Sequence, residues 1–162
     1  MTGLVIEHAA LEDLPELVGL FDSYRVFYGQ RSALTQCEAF LQERFQAADS
    51  AILLARRQQQ LLGFTQLYPL WSSVSLSRVW LLNDLFVASE NRGTGVARRL
   101  MQAATELVRD DGGTAIRLST ELSNVGAQAL YQALGYERDG RFAYYQLQIE
   151  EQPGRHLETG GR

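Results

Sequence analysis

Apolar residues in the first third of the chain recur at the three- and four-residue intervals typical of helices. A short apolar stretch at residues 4–6 comes first and predicts a strand. Residues 13–16 then combine a capping-box pattern with an early helical proline, and the apolar face that follows ends near Gly29. The capping-box pattern recurs at residues 35–38. This part of the chain therefore predicts a strand followed by two helices.

Between residues 51 and 87 the pattern changes to apolar runs of strand length. Residues 51–55, 61–70 and 79–87 form three such runs, with polar residues between the first two. The connections between them are short. We therefore predict three consecutive strands arranged as an antiparallel meander.

Helical spacing returns in the second half of the chain. Residues 96–108 predict a helix, residues 114–120 a strand, and residues 127–134 a further helix that Gly135 closes with a left-handed cap. Alternating residues 142–149 predict a last strand. The order of elements indicates a mixed α/β layer fold.

Length and composition indicate one globular domain. The chain has 162 residues, of which 46% are hydrophobic and 21% charged, so it has enough apolar surface to form a core. We predict a single domain at residues 1–151. Residues 152–162 are polar and rich in glycine, and we expect a flexible tail there.

Charge and cysteine content exclude several classes of partner. The formal net charge is −4 and the isoelectric point about 5.2, which gives no electrostatic reason to expect nucleic acid or an anionic membrane. A cationic substrate is compatible with this charge. The single cysteine, Cys37, has no intramolecular disulfide partner and no neighbours at metal-ligand spacing, so we expect no metal site. With no signal peptide and no membrane-spanning run, the sequence predicts a cytoplasmic protein.

The most informative stretch is residues 87–97, where a strand end passes through a polar turn into a glycine-rich helix start. Glycines let the backbone approach an anion, and the free amides of a helix start attract it. A tight structural turn is the alternative interpretation. The chain contains no lysine, which excludes a P-loop. Arg98 and the preceding antiparallel strands exclude a Rossmann fingerprint.

At this point the sequence resembles the GNAT N-acetyltransferase superfamily. The loop of that family has the form Arg/Gln-x-x-Gly-x-Gly/Ala, which Arg92, Gly95 and Ala97 match. Residues 82–87 resemble the family's central strand, and residues 124–136 its second cofactor segment. The resemblance implies an α+β fold: a mixed, mostly antiparallel sheet with a central splayed strand pair and helices on both faces.

The resemblance also implies acetyl-CoA as the cofactor, with CoA as a product. It places the pantetheine arm on the backbone of Leu85, Phe86 and Val87. The remaining cofactor-binding residues that it implies lie in the two motifs: Arg92, Gly93, Thr94, Gly95, Val96, Ala97, Arg98, Asn124 and Tyr131.

Acetyl transfer to an amine needs a proton donor and a proton acceptor. The resemblance assigns the donor role to Tyr131, which at its helical spacing also suits a core aromatic. Polyamine acetyltransferases often have glutamate where this chain has Asn83, so Asp84 and an ordered water remain alternative bases. Because neighbouring strand residues point to opposite faces, we expect only one of Asn83 and Asp84 to face the acceptor.

Tyr24 and Tyr28 end the first helix, a region that lines the acceptor pocket in similar proteins. Aromatic rings attract an ammonium group, although the same residues fit an ordinary apolar helix face. The resemblance, closest to the histone and polyamine acetyltransferase-like branch, implies an N-acetyltransferase that acts on a primary amine of a small molecule by direct transfer. A noncatalytic acetyl-CoA sensor is the alternative. The alternating residues 142–149 further predict a homodimer.

Overall fold

The computed structural model of the protein describes residues 3–149, which form a five-stranded sheet with four helices. The chain order agrees with the predicted one up to residue 135. Two single 3₁₀ turns, Leu11–Asp13 and Ser89–Asn91, join longer elements. The elements are β1 (Leu4–His8), α1 (Leu14–Phe27), α2 (Leu34–Ala47), β2 (Ala51–Arg57), β3 (Gln60–Ser72), β4 (Ser77–Val87), α3 (Val96–Asp110), β5 (Ala115–Arg117) and α4 (Val125–Ala133).

The strands lie in the order β1-β2-β3-β4-β5. The first four pair antiparallel, which confirms the predicted meander, and β5 pairs parallel to β4. Alternate residues of the central strands enter two different hydrophobic clusters. Leu53 packs with α3 on one face, and Leu54 packs with α1 and α2 on the other. Both faces of the sheet are thus covered, which explains why its strands read as continuous apolar runs.

The contact between β4 and β5 is short. Their register covers only residues 79–81 of β4, although β4 itself continues to Val87. Beyond that point the backbone groups of β4 that face β5 have no strand partner within the described part of the chain. The predicted splayed strand pair is therefore present, and it leaves donors and acceptors open at one edge.

A β-bulge interrupts β4 where the splay begins. Leu67 of β3 pairs with Leu82, and Gln66 pairs with Asp84, so Asn83 is an extra residue without a register partner. The expectation that Asn83 and Asp84 point to opposite faces was wrong for this reason. Instead, the side-chain amide Nδ2 of Asn83 donates to both carboxylate oxygens of Asp84, at 3.1 Å each.

Neither predicted capping box is formed. Asp13 uses its carboxylate to accept from the Ala10 amide and from Arg56, not to cap α1. The second helix begins at Leu34, one residue before Thr35, and the amide of Ala33 donates to Asp22 of α1 at 2.7 Å. A side chain distant in sequence replaces the local cap in the second case, which sequence spacing does not reveal.

The predicted strand at residues 142–149 is also wrong, because those residues adopt no regular structure. The Asp139 carboxylate accepts the amides of Arg141 and Phe142, at 2.8 and 3.0 Å, and the Tyr144 hydroxyl at 2.9 Å. These bonds form a local turn in place of a pairing with β5. The predicted tail at residues 152–162 lies outside the described residues. Among residues 3–149, no helix is long and apolar enough to cross a bilayer.

Candidate functional site

A cleft of about 510 Å³ lies where β4 extends beyond its contact with β5. Four parts of the chain form its walls: the end of β4, the loop into α3 with its first turn, helix α4, and the end of α1. The lining residues are Phe27, Tyr28, Leu85, Phe86, Val87, Asn91, Arg92, Gly93, Gly95, Val96, Ala97, Arg98, Asn124, Gly126, Ala127, Leu130 and Tyr131.

The loop into α3 is shaped by two glycines with left-handed backbone angles. Gly93 has φ of +72° and Gly95 has φ of +83°, values that L side chains rarely adopt. The amide of Arg99 makes the first helical bond, to the Gly95 carbonyl at 3.1 Å. The amides of the three residues before Arg99 therefore have no acceptor within the helix and lie at its positive end. This geometry suits an anion.

Asn91 adds a further donor to this wall. Its side-chain Nδ2 is buried and has no hydrogen-bond partner within residues 3–149. A buried amide donor without a partner is costly, so the position favours a ligand oxygen or a water molecule in the cleft. Thr94 does not line the cleft, and its hydroxyl donates to the Asn91 carbonyl at 2.6 Å.

Arg92 contacts the protein more closely than its predicted phosphate role suggests. Its Nε donates to the Val87 carbonyl at 3.0 Å. Its guanidinium carbon lies 4.9 Å from the ring centroid of Phe27 and 5.3 Å from that of Phe86. Arg92 thus joins the end of α1 to the splayed end of β4, through cation–π contacts and one hydrogen bond.

A buried carboxylate lies on the face of β4 that packs against α1. Asp84 is only 5% exposed, and it lies two residues before Phe86, a residue of the cleft wall. Burial raises the pKa of Asp84, whereas hydrogen bonds from Asn83 and Tyr24 act in the opposite direction. A carboxylate with a raised pKa is a better proton acceptor than an exposed one.

Three tyrosines lie close enough to Asp84 for its charge to contribute to their raised pKa values. Burial is the main cause that raises the pKa of Tyr24 above its ordinary value, and the negative charge of Asp84 raises it further. Burial raises the pKa of Tyr68 to about 12, again with a contribution from Asp84. Tyr28 lies with its ring 5.1 Å from that of Tyr24, and burial likewise raises its pKa, with Glu121 and Asp84 contributing. All three phenols are therefore neutral at ordinary pH.

The two predicted acceptor tyrosines differ in their surroundings. Tyr28 is 42% exposed and lines the cleft. Tyr24 packs edge-on against the rings of Phe64 and Phe86, each at 5.8 Å, within the core between α1 and the sheet. Tyr24 thus has the core ring that one interpretation of the sequence predicted, and its hydroxyl lies near Asp84. Its role toward an acceptor stays a prediction.

Helix α4 supplies the opposite wall. Asn124 caps this helix, accepting the Ala127 amide on Oδ1 at 3.1 Å. Seven residues later, Tyr131 lines the cleft, and its ring lies 6.0 Å from that of Tyr136. Burial is the main cause that raises the pKa of Tyr131, and the neighbouring Tyr28 and Tyr136 raise it further. The phenol of Tyr131 therefore keeps its proton at neutral pH.

The structure brings most of the predicted site residues together in one cleft. Thr94, Tyr24, Asn83 and Asp84 lie beside its lining, not in it. Phe27 and Asn91 also line the cleft, and neither was among the predicted site residues. Phe27 stands beside Tyr28 at the end of the first helix, and Asn91 stands beside Arg92, so adjacency to predicted residues was the available signal for both.

Comparison with known proteins agrees with this arrangement. Residues 15–136 match the sequence model of the family described as Acetyltransferase (GNAT) family. The chain is similar to an uncharacterized N-acetyltransferase of Bacillus subtilis (strain 168), YhfO, at 42% identity over 144 residues, covering 89% of this chain and 97% of that protein. A probable acetyltransferase of Haemophilus influenzae (strain ATCC 51907 / DSM 11121 / KW20 / Rd) is 28% identical over 134 residues, which are 82% and 90% of the two chains.

A solved structure supports the same comparison. The crystal structure of a probable acetyltransferase superposes with a TM-score of 0.86 at 41% identity, covering 91% of this chain and 99% of that one. The family match includes the meander, the glycine loop and all of α4, and it ends at Tyr136. The cleft therefore lies wholly within the region matched by the family.

Proposed function

The chain belongs to the GNAT family of acetyltransferases, and on that basis we propose that it transfers an acetyl group from acetyl-CoA to a primary amine of a small molecule, by direct transfer in a ternary complex. GNAT acetyltransferases use acetyl-CoA as the acetyl donor. The observation that carries the acceptor part of the proposal is the position of Asp84, a buried carboxylate surrounded by neutral phenols beside the cleft.

The groups in the cleft fit acetyl-CoA. The unbonded amides at the start of α3 and the buried donor of Asn91 suit the oxygens of a pyrophosphate. The open edge of β4 at Leu85 to Val87 suits the amide groups of a pantetheine arm, which pairs with a strand edge as a peptide does. The Val87 carbonyl already accepts from Arg92, so the preceding residues offer the remaining edge groups.

Acetyl-CoA, when bound, supplies an acetyl thioester with a thiolate leaving group. The acceptor must reach it as a neutral amine, and we assign its proton to Asp84: an N–H bond of the ammonium breaks and an O–H bond forms on the carboxylate. Burial of Asp84 favours this step, because the protonated carboxyl is the better accommodated form in that environment.

Tyr131 lies on the wall opposite Asp84 and holds a proton on its phenol oxygen at neutral pH. We assign it as the acid that donates this proton to the departing sulfur. Tyr28 lines the cleft, Asp84 contributes to its raised pKa, and Tyr28 in turn contributes to the raised pKa of Tyr131. We assign its exposed ring, with Tyr24 and Asn83, to the acceptor wall. An ammonium group is stabilised there by aromatic faces and by the Asp84 charge.

For the acceptor we propose a cationic amine of the kind used by the histone and polyamine acetyltransferase-like branch. The aromatic wall and the net charge of −4 both favour a cation. We also propose that the protein acts as a homodimer. Within the described residues β5 has a strand partner on one side only, and apolar side chains at residues 142–149 are exposed.

A panel of amines tests the function directly. Polyamines, amino acids, amine antibiotics and a lysine peptide are each mixed with protein and acetyl-CoA, and release of the CoA thiol is recorded. We expect acceleration by a subset of small cationic amines. Calorimetry confirms acetyl-CoA binding separately, so that binding without acceleration by any amine would contradict the enzymatic proposal and favour the sensor.

A further inference from the structure

Gln66 on β3 is fully buried, yet only one of its two polar side-chain atoms has a hydrogen-bond partner. Its exposed fraction is 0%, and its side-chain Nε2 donates to the Ser50 hydroxyl at 2.8 Å. Its carbonyl oxygen Oε1 has no hydrogen-bond partner among residues 3–149. A buried carbonyl without a donor is unfavourable, so a native protein that retains one needs a reason for it.

The sheet register identifies the neighbour of this oxygen. Gln66 lies directly opposite Asp84, at the pair that follows the β-bulge. Side chains opposite each other on antiparallel strands share one face, with Cβ atoms about 4.5 to 5.5 Å apart. Phe64 and Phe86, two residues away on the two strands, are also paired and both pack in the cluster beneath α1. Gln66 and Asp84 therefore occupy the same buried face.

The Oε1 of Gln66 can form a hydrogen bond with Asp84 in only one protonation state of the carboxyl group. An ionised Asp84 and the Gln66 carbonyl are both acceptors, and no hydrogen bond forms between two acceptors. A protonated Asp84 carries an O–H group that can donate to the Oε1 of Gln66, which has no other donor partner among residues 3–149. Asp84 can therefore supply the missing donor to Gln66 only when it holds a proton.

We propose that Gln66 is a positioning residue for acetyl transfer, whose Oε1 accepts a hydrogen bond from Asp84 once Asp84 has taken the proton of the acceptor amine. This inference rests on the proposed function, in which Asp84 is the base. The N–H bond of the ammonium breaks, the O–H bond of Asp84 forms, and the proton remains directed at Gln66 until it passes to solvent.

The other groups that face Asp84 act differently. Tyr24 and Tyr28 approach it from α1, Tyr68 approaches it from β3, and all three remain neutral. Tyr24 and Asn83 donate hydrogen bonds that stabilise the ionised carboxylate, and so lower its pKa against the effect of burial. Gln66 stabilises the neutral carboxyl, so it raises the proton affinity of Asp84 and makes it a stronger base.

A carbon-13 titration of the carboxyl carbon of Asp84 tests this in the protein without acetyl-CoA. The signal is assigned by its loss in Asp84→Asn. Gln66→Met keeps the side-chain size and removes the acceptor, and we expect the Asp84 pKa to fall. The matched control is Gln102→Met, the same change at an exposed glutamine of α3, which should leave the pKa at its parent value. An unchanged or raised pKa in Gln66→Met overturns the proposal.

A second measurement needs no substitution at Gln66, which matters if that variant does not fold. The carboxamide carbon of Gln66 in the parent protein should shift with the same midpoint as Asp84, because its carbonyl gains a hydrogen bond at that point. A Gln66 signal that stays constant through the Asp84 titration contradicts the proposal.

Activity measurements on two variants distinguish a failure of the role proposed for Gln66 from a failure of the proposed acetyltransferase mechanism. In Gln66→Met we expect the acidic limb of the kcat/KM profile to move to lower pH together with the Asp84 pKa. If Asp84→Asn retains parent activity, the assigned base is wrong whatever the Gln66 titration gives. If Asp84→Asn is inactive while Gln66→Met changes neither the Asp84 pKa nor the profile, only the role of Gln66 is wrong.

Discussion

The guanidinium of Arg92 lies 4.9 Å from the centre of the Phe27 ring, and this contact joins the glycine loop to the end of α1. The same side chain holds the Val87 carbonyl through Nε. One residue thus connects the wall proposed for the cofactor with the wall proposed for the acceptor.

Replacement of Arg92 tests whether its charge or its contacts matter. We expect Arg92→Ala to weaken acetyl-CoA binding and to raise the KM for the amine, because both walls lose their connection. The cation–π contacts contribute about 0.5 to 2 kcal/mol. Arg92→Lys keeps the charge but loses the planar contact and the bond from Nε. If calorimetry and kinetics show parent values for the lysine variant, the role of Arg92 is its charge alone.

A side chain at Gly95 should block the loop. Gly95 has φ of +83° at the start of α3, and Gly95→Glu adds strain, bulk and negative charge beside the free amides. We expect acetyl-CoA binding to fall below detection in calorimetry, and to fall further than in Arg92→Ala. Gly140→Glu, at an exposed glycine with open space around it, is the control and should bind as the parent does. Parent-like binding by Gly95→Glu would show that the pyrophosphate assignment is wrong.

Removal of one hydroxyl separates enzyme from sensor. Tyr131→Phe keeps the ring in the cleft wall but has no phenol proton to donate. We expect kcat to fall by roughly 10²- to 10⁴-fold, the range for a general acid, with little change in acetyl-CoA affinity. Tyr136→Phe removes a hydroxyl from the neighbouring ring, 6.0 Å away, and should keep most of the activity. Equal turnover in both variants would remove Tyr131 from the mechanism.

The raised pKa of Asp84 gives a signed prediction for stability. The folded protein binds this proton more tightly than the unfolded chain, so the contribution of Asp84 is most favourable at low pH and is lost as pH rises through the folded pKa. We therefore expect Asp84→Asn to melt above the parent at neutral pH, with the difference shrinking on acidification.

Asp111 is the control of opposite sign. Its hydrogen bond and charge contact with Arg78, at 2.6 Å, lower its pKa, so its contribution is present at neutral pH and is lost in acid. Asp111→Asn should melt below the parent at neutral pH, with a difference that also shrinks in acid. Melting curves across pH that give both variants the same sign would contradict the assignment for Asp84.

Sedimentation at micromolar concentrations tests the homodimer. We expect a mass near twice the 18.2 kDa of one chain. Tyr145 is 95% exposed, and Tyr145→Glu places a charge on the segment proposed for the interface, which should release monomers. Ser75→Glu, an exposed substitution in the β3–β4 turn, should leave the mass unchanged. A mass near 18.2 kDa for the parent at every concentration would exclude the dimer.

Local pattern was sufficient for much of the fold. The spacing of apolar residues identified α1 and α3, and apolar runs of strand length identified the meander. Gly135 has the left-handed backbone expected at a helix end. The glycine loop could also be predicted from the sequence, because the residues that shape it follow one another in the chain. Local pattern failed at residues 142–149, where alternation predicted a strand and the Asp139 side chain forms a turn instead.

The sequence by itself determined the order of elements up to residue 135, the glycine loop and the family, because each depends on residues close together in the chain. Only the tertiary structure decided which distant side chains meet. The extra residue Asn83 lies beside Asp84 because of a bulge in the register between β3 and β4, and that same register places Gln66 opposite Asp84. A strand register depends on pairing between segments that the chain separates by a turn. A shift of one residue reverses the face of every side chain, so residue types alone do not specify which polar groups share the buried face.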